Sequence, residues 1–397
     1  MPFIDHLLTI DPENPPEYIA IRTSDRASFR RCRRKWGLSS ALRCNLGPNE
    51  KKSYFWLGTG GHFAMEDFHG YNVYGHPCEA FLAYVHAYRL WCSRSDVKDE
   101  LPDDYEEQTE LALAILEYYL LWLETRDPLQ TYWIDGQPQV EVRAQITLPI
   151  GYELDNGHTI PIRYDMTFDR VIIDTDGLYG TAGGLWICDW KFMKTINSGH
   201  FDTDQQVSAY CWGGNTLYDK PISGFVYHQF KKQKAQGPRV LQSGSISTAK
   251  NMTTSHRLYR EALKAAYGEP NKAPTANIDY MNTLAAQESP HRDPYIQRDI
   301  IHRSQARQQA TGEQILAEVA EMLNPNLYLY PNATKDCSWD CWMNDVCVMM
   351  DEGEDWEHVL ELVAAPQSNI RDGWREHLPK GNQEPFIMNH TNTTSKR

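Results

Sequence analysis

The spacing of apolar side chains divides the chain into stretches with a helical period and stretches with an extended period. The helical period predicts helices over residues 24–42, 79–95, 104–126, 200–217, 252–266 and 302–323. Alternating or continuously apolar stretches predict strands over residues 139–148, 160–173, 185–191, 221–230 and 239–246. Helices interleaved with strands predict an α/β fold in which a central mixed sheet is flanked by helices.

The turns in the middle of the chain predict how three of these strands are connected. An Asp-Asn-Gly sequence within residues 151–158 is a hairpin signal. Residues 174–184 form a second, Gly-rich connection to the following strand. We therefore expect an antiparallel meander that brings Glu141, Asp169 and Asp189 close together.

The third strand of this meander ends in a possible catalytic pair. Asp189 and Lys191 are two residues apart, so on a strand they point to the same face of the sheet. A carboxylate at that position can hold a divalent cation, and the lysine can orient or activate a water. An ordinary surface ion pair at a strand end is the favoured explanation until other residues join the pattern, so the pair alone assigns no function.

A glycine-rich segment precedes the first candidate histidine. The Gly-Thr-Gly-Gly sequence of residues 58–61 predicts a turn, and a helix is expected to begin near Thr59 with His62 in its first turn. A neutral imidazole that points into a cleft can complete a metal site. A purely structural histidine on a helix is the alternative.

The remaining segments set the expected domain organisation. Residues 268–296 are rich in Pro, Asn and Asp and are expected to form a long ordered loop. The expected division is an extended arm at 1–23, a core at 24–335 with a helical insertion at 79–126, a cysteine-bearing subdomain at 336–384 and a disordered tail at 385–397.

Composition limits the class of protein. Hydrophobic residues make up 41% of the 397 residues and charged residues 23%, which is typical of globular proteins. No apolar run approaches the roughly 18 residues of a membrane helix, and the N-terminal sequence lacks the pattern of a signal peptide. We therefore expect a cytosolic protein with no membrane partner, whose nine cysteines are thiols or metal ligands rather than disulfides.

The charge distribution allows local contacts with nucleic acid. A net charge of -14 argues against a protein coated with nucleic acid, but not against a DNA enzyme with basic patches. Two such patches lie within residues 30–35 and 231–234, although charge runs are often only solvated. The candidate DNA-binding residues are Arg31, Arg33, Arg34, Lys231, Lys232 and Lys234.

Four cysteines are candidates for a second metal site. Cys337, Cys341 and Cys347 follow the pattern C-x3-C-x5-C, a density that packing in a reducing compartment does not explain. Cys32 lies among basic residues that would stabilise a thiolate, although a small buried cysteine is the alternative. We expect packing roles for the other cysteines, which are Cys44, Cys78, Cys92, Cys188 and Cys211.

Taken in chain order, these features resemble the RecB-type branch of the PD-(D/E)XK nuclease superfamily. The matching residues are His62, Glu141, Asp169 followed by Arg-Val, the Asp189-x-Lys191 pair, and Gln206-x3-Tyr210. The cysteine pattern is similar to that of the iron–sulfur nucleases of this branch, which include the AddB subunit of helicase–nucleases, exonucleases of CRISPR adaptation and some phage recombination exonucleases. The resemblance covers residues 24–350. The long gap between Asp169 and Asp189, the C-x3-C spacing and the competing Asp165 depart from the family pattern.

The resemblance implies a restriction-endonuclease-like fold and a role for each catalytic residue. His62, Asp169, Asp189 and the backbone carbonyl of Trp190 would bind Mg²⁺ or Mn²⁺. Lys191 would position the attacking hydroxide and stabilise developing negative charge.

Three further residues complete the implied catalytic centre. Glu141 would lie behind the metal ligands or help to hold a second cation. Gln206 and Tyr210 would hold the scissile strand.

The resemblance also implies a cofactor and a biological setting. A [4Fe–4S] cluster would be held by Cys32, Cys337, Cys341 and Cys347, and zinc is the alternative at these thiolates. The implied activity is metal-dependent exonucleolytic cleavage of DNA in recombination, repair or phage DNA processing, in the cytosol of a bacterium or a phage-infected host. A recombination or replication protein is a possible partner. The alternatives are a catalytically silent DNA-end-binding protein and a zinc-stabilised scaffold.

Overall fold

The structure is a computed structural model that describes residues 10–11, 13–49, 54–94, 101–126, 129–367, 373–378 and 387–390. The strands are β1 (Ile19–Arg22), β2 (Leu46–Pro48), β3 (Gln130–Thr131), β4 (Trp133–Ile134), β5 (Gln137–Pro138), β6 (Val140–Glu153), β7 (Thr159–Asp174), β8 (Gly184–Met193), β9 (Ile222–Lys231), β10 (Ile296–His302), β11 (Ala364–Pro366) and β12 (Ile387–His390).

Helices separate most of these strands. They are α1 (Thr23–Arg31), α2 (Arg33–Ser39), α3 (Tyr54–His69), α4 (Pro77–Cys92), α5 (Tyr105–Leu123), α6 (Gln205–Leu217), α7 (His256–Tyr267), α8 (Thr275–Gln287), α9 (Gln305–Met322), α10 (Cys337–Asp340), α11 (Asn344–Glu352) and α12 (Trp356–Val363). None of the described helices is both long and apolar enough to span a membrane.

A mixed sheet forms the centre of the fold. Its strand order is β10-β9-β8-β7-β6-β12, and β1 and β3 also pair with β7. Strands β6, β7 and β8 form the expected antiparallel meander, whereas β8 and β9 run parallel. Strand β8 is buried continuously from Gly184 to Trp190, as its uninterrupted apolar sequence predicts for a central strand.

Helices cover both faces of this sheet, so the predicted mixed α/β fold is confirmed. Val171, Ile187 and Phe225 share one core with residues of α1, α6 and α9. Trp186 and Val226 share the other core with residues of α3, α4 and α5. The predicted helical stretches at 79–95 and 104–126 correspond to α4 and α5.

The helix expected over residues 24–42 is instead two helices that are separated at Cys32. This residue has an extended backbone, with φ -161° and ψ 114°. The apolar spacing hides the break because Phe29 and Trp36 pack together across it, with ring centroids 5.0 Å apart.

The segment after β9 differs most from expectation. The strand expected at 239–246 is reduced to an isolated bridge between Val240 and Ile246, and the antiparallel partner of β9 is β10. The expected loop at 268–296 contains α8, whose apolar pattern is weak because it buries only Asn277 and Leu284.

Both ends of the described chain contribute strands to the sheet. Strand β1, from the expected N-terminal arm, pairs in parallel with β7. Residues 387–390, which were expected to be disordered, form β12 and pair in parallel with β6. Residues 1–9, 12, 385–386 and 391–397 of the expected arm and tail lie outside the described residues.

Candidate active site

The register of the meander aligns three acidic residues in a row across neighbouring strands. Glu141 lies between the pairs Val140–Arg170 and Val142–Phe168, which places it opposite Asp169. The pairing of Arg170 with Cys188 places Asp169 next to Asp189 on the following strand. Adjacent strands are about 4.8 Å apart, so the register alone brings three carboxylates together.

Glu141 has an unusual backbone conformation for a residue within a strand. Its φ is +45°, in the left-handed region that non-glycine residues rarely adopt. Such a conformation costs on the order of 1–3 kcal/mol and is commonly found at functional sites. The carboxylate of Glu141 lies 3.3 Å from Nδ1 of His62.

Asp169 and Asp189 are both buried, with 6% and 1% of their surface exposed. Burial raises the pKa of Asp189 to about 6, although Lys191 opposes this effect. Burial also raises the pKa of Asp169, while His62 opposes it. Oδ2 of Asp169 accepts a hydrogen bond of 2.7 Å from the backbone N–H of Trp190.

Lys191 lies directly against Asp189. Its Nζ is 2.9 Å from Oδ1 and 2.7 Å from Oδ2 of Asp189, so the two residues predicted to share a face form an ion pair. Burial opposes the charge on Lys191, but Asp189 and Asp169 outweigh that effect and raise its pKa. The ammonium also lies 6.0 Å from the ring centroid of Tyr227.

His62 reaches the acidic row from α3. Its Nδ1 is 3.5 Å from Oδ2 of Asp169. Burial disfavours the protonated ring, but Asp169 and Glu141 outweigh this effect and raise the pKa of His62 to about 9. The imidazole therefore balances part of the negative charge when no cation is bound.

The glycines before His62 do not form the expected turn. They lie within α3, which begins at Tyr54 rather than near Thr59. A Cβ on Gly61 would lie 2.5 Å from ring atoms of Phe192 on β8. Gly61 thus allows α3 to approach the strand that carries Asp189, and this close approach brings His62 to the site.

The donor set fits a divalent cation. One ligand atom each from His62, Glu141 and Asp169 lie within 4.8 Å of one another. Opposite ligands of an octahedral Mg²⁺ are about 4.2 Å apart, because each lies 2.0–2.1 Å from the ion. Asp189, although predicted as a ligand, is not a member of this group, and both of its oxygens face Lys191.

The helix α6 faces the same site. Tyr210 is buried, and its pKa is raised by burial and by the charges of Asp189 and Asp169. Gln206 lies one turn earlier and hydrogen-bonds to Tyr210. The side chain of Asp204 caps the helix by accepting hydrogen bonds from the N–H groups of Gln206 and Val207.

Sequence reasoning missed Tyr227. Parallel pairing of β8 with β9 places Tyr227 opposite Asp189 and Gln229 opposite Lys191. Tyr227 thus continues the row of aligned side-chain positions, which begins with Glu141, onto a fourth strand. The signal that could have identified it is the parallel register, which the sequence alone does not specify.

Most residues of the predicted basic patches pair with acids of the same chain. Arg31 lies 2.6 Å from Asp340, and Lys234 lies 2.8 Å from Glu110. Arg33 pairs with Glu321 and Arg34 with Asp351. Lys231 is the last residue of β9 and pairs with Met193 at the end of β8. The backbone N–H of Lys232 donates to the carbonyl of Met193, so both lysines lie beside the end of the strand that carries Lys191. A DNA-binding role for these six residues stays a prediction.

The four predicted cysteine ligands line one cavity of about 140 Å³. Cys32 reaches it from the break between α1 and α2, and the other three reach it from α10, its C-terminal end and α11. In the part of the chain that the structure describes, no three of these sulfurs lie within 4.8 Å of one another. Two segments more than 300 residues apart therefore meet at this cavity.

One of three comparisons with known proteins identifies a family for this chain. No curated protein matches the sequence. A solved structure from Eubacterium rectale, described as a "Putative exonuclease", is similar with 13% identity and a TM-score of 0.37, over 82% of this chain and 87% of that one. Residues 23–348 match the family model of the PD-(D/E)XK nuclease superfamily. The chain belongs to the PD-(D/E)XK nuclease superfamily.

Proposed function

We propose that this protein is a Mg²⁺- or Mn²⁺-dependent exonuclease that hydrolyses phosphodiester bonds of DNA. The observation that supports the proposal is the row of Glu141, Asp169 and Asp189, flanked by His62 and Lys191. A role in recombination, repair or phage DNA processing in the cytosol belongs to the same proposal.

A cation at this site would be held by His62, Glu141 and Asp169, with Asp189 beside them. Such a cation acts as a Lewis acid and lowers the pKa of water. The N–H of Trp190 fixes the orientation of Asp169, because their hydrogen bond is short and buried.

Lys191 has the main task in the hydrolysis. Asp189 holds its ammonium at the site, where it orients the attacking water and stabilises negative charge on the phosphoryl oxygens. The water oxygen forms a bond to phosphorus while the bond to the leaving ester oxygen breaks. The products are a phosphate monoester and a free hydroxyl, with the proton of water balancing the leaving oxygen.

The substrate strand would lie between α6 and the end of the sheet. Gln206 and Tyr210 face the acidic row from one side, and Tyr227 adds an aromatic ring beside Lys191.

We also propose that Cys32, Cys337, Cys341 and Cys347 hold a [4Fe–4S] cluster. Four thiolates around one zinc ion would lie about 3.8 Å apart, because tetrahedral Zn–S bonds are about 2.3 Å long. The wider separation of these sulfurs and the cavity between them suit a larger group. The cluster would join the core at 24–335 to the subdomain at 336–384. Closing the loop of about 300 residues between them costs roughly 5 kcal/mol of chain entropy, and binding of the cluster would offset that cost.

The test of the nuclease proposal uses linear and covalently closed circular DNA, each single- and double-stranded and labelled, with Mg²⁺ or Mn²⁺. We expect nucleotides to be released from linear DNA while circles remain intact. Cleavage of circles would identify an endonuclease instead. DNA binding without cleavage by the wild-type protein would support the catalytically silent end-binding protein.

Two variants connect that activity to the site. Asp189→Asn should abolish cleavage, whereas Asp165→Asn should not. Asp165 is the matched control because it lies on β7 but pairs with Arg163 at 2.7 Å. Equal activity of the Asp189→Asn variant and the wild type would contradict the proposed site.

A further inference from the structure

Arg34 belongs to the cysteine cavity rather than to an exposed basic patch. It lies in α2 and is only 6% exposed. Its Nη1 donates to Sγ of Cys347 at 3.0 Å and to the carbonyl oxygen of Cys347 at 3.2 Å. Its Nη2 donates to Oδ1 of Asp351 at 2.8 Å. One guanidinium thus connects the N-terminal helix pair to three acceptors on α11.

Other donors around the cavity also point at the sulfurs. The backbone N–H of Asn332 lies 3.5 Å from Sγ of Cys32, and that of Thr334 lies 3.4 Å from Sγ of Cys337. These two donors belong to the backbone and carry no net charge. Arg34 differs from them because it brings a full positive charge to a sulfur and can be replaced by mutation.

The chemistry of the donors indicates what they stabilise. A thiol is a weak acceptor, whereas a thiolate is anionic and gains from charge-assisted hydrogen bonds. Hydrogen bonds to ligand sulfurs are one of the factors that set the reduction potential of an iron–sulfur cluster.

We propose that Arg34 is a positioning residue that fixes Cys347 for cluster binding and raises the reduction potential of the bound cluster. The inference rests on the proposed iron–sulfur cluster. Reduction adds one negative charge to the cluster, so a nearby buried cation stabilises the reduced form more than the oxidised form. The two hydrogen bonds to Cys347, together with the third to Asp351 on the same helix, hold Cys347 in place before the cluster is assembled.

The test compares Arg34→Met, Arg34→Lys and the control Arg33→Met. Arg33 is the next residue of α2, but it pairs with Glu321 and makes no hydrogen bond to a cysteine among the described residues. Each full-length protein is purified anaerobically. We then measure the iron and sulfide content per chain, the midpoint potential, and the rate at which visible absorbance is lost in air.

We expect Arg34→Met to lower the equilibrium constant for reduction of the cluster about tenfold, which lowers the midpoint potential by about 59 mV for a one-electron couple. It should also lose the cluster several times faster in air. Arg34→Lys should fall between this variant and the wild type, because a lysine retains the charge but cannot make all three contacts. Arg33→Met should match the wild type in potential.

The outcomes separate the two proposals. A wild-type protein without iron and sulfide overturns both the cluster and the role of Arg34. A wild-type protein with a full cluster, together with unchanged potential and stability in the Arg34→Met variant, overturns only the role of Arg34. If Arg34→Met does not fold, an Arg34→Lys variant that equals the wild type in both measurements overturns it as well.

Discussion

Replacing Asp169 with Asn should remove most of the stabilisation that a divalent cation gives to the folded protein. The carboxylate of Asp169 is oriented by the N–H of Trp190 and lies within 4.8 Å of ligand atoms of His62 and Glu141. Asn retains the size of the side chain but replaces a charged oxygen ligand with a neutral one. The metal-free fold should therefore change little, while the affinity for the cation falls.

The size of the effect follows from binding linkage. A ligand at 100 times its dissociation constant stabilises the folded state by about 2.7 kcal/mol. If the loss of Asp169 weakens binding about 100-fold, the same cation concentration only equals the dissociation constant of the variant, and the stabilisation falls to about 0.4 kcal/mol. The difference of roughly 2.3 kcal/mol is measurable as a change in the thermal shift.

The assay measures the thermal unfolding midpoint at increasing concentrations of Mn²⁺ or Mg²⁺, without DNA, so that no turnover takes place. Asp165→Asn provides the control, because Asp165 is on the same strand and forms a bidentate ion pair with Arg163. The control should retain the full cation-induced shift. A shift that survives in Asp169→Asn and disappears in Asp165→Asn would show that the cation binds elsewhere.

Three further predictions concern residues around the cation. Lys191→Met should reduce single-turnover cleavage by about 10²–10³-fold with DNA affinity nearly unchanged, and a loss of affinity alone would contradict its catalytic role. Because His62 has a pKa of about 9 and must lose its proton to bind a cation, the affinity measured by calorimetry should rise with pH until about 9; a pH-independent affinity would contradict this coupling. Gly61→Ala should lower the free energy of unfolding by about 1–3 kcal/mol and reduce cleavage, because its Cβ would clash with Phe192. Gly58→Ala is the control, since the space around its Cβ is open, and it should be neutral or stabilising in thermal unfolding. Equal effects of the two substitutions would contradict the packing argument.

The meander and its acidic row could be predicted because both depend on local signals. A hairpin turn fixes the order and direction of two strands, and the alternation along each strand then fixes which residues become neighbours. The parallel pairing of β8 with β9 depends instead on the crossover through α6. The position of Tyr227 beside Lys191 was therefore not accessible from the sequence.

The errors around Cys32 and Gly61 share a physical cause. Apolar spacing reports which side chains are buried, not whether the backbone between them is helical. Phe29 and Trp36 pack together although the helix is broken between them. Gly61 lies inside a helix, and the residue is a glycine there because a larger side chain would collide with Phe192. In both cases tertiary contacts decide the local structure.

The same limit explains why the sequence groups Arg34 with an exposed basic patch. A run of basic residues is normally exposed, and nothing in residues 30–35 distinguishes an arginine that points to solvent from one that points inward. The structure shows that Arg34 meets Cys347 and Asp351, which lie more than 300 positions away in the sequence. A run of charged residues in the sequence therefore does not identify the partner that each charge has in the fold.

The charges of the active site explain why it suits a divalent cation. With every group counted in its ionised form, the three carboxylates of Glu141, Asp169 and Asp189 carry one more negative charge than Lys191 and protonated His62 balance. A divalent cation that replaces the proton of His62 makes the five groups and the ion neutral together. Burial raises the pKa of Asp189 to about 6 and so favours a proton on Asp189 when no cation is bound, although Lys191 opposes this effect. The left-handed backbone at Glu141 adds to the cost of holding these groups together. In the proposed function, a divalent cation would neutralise this excess charge and complete the arrangement needed for hydrolysis.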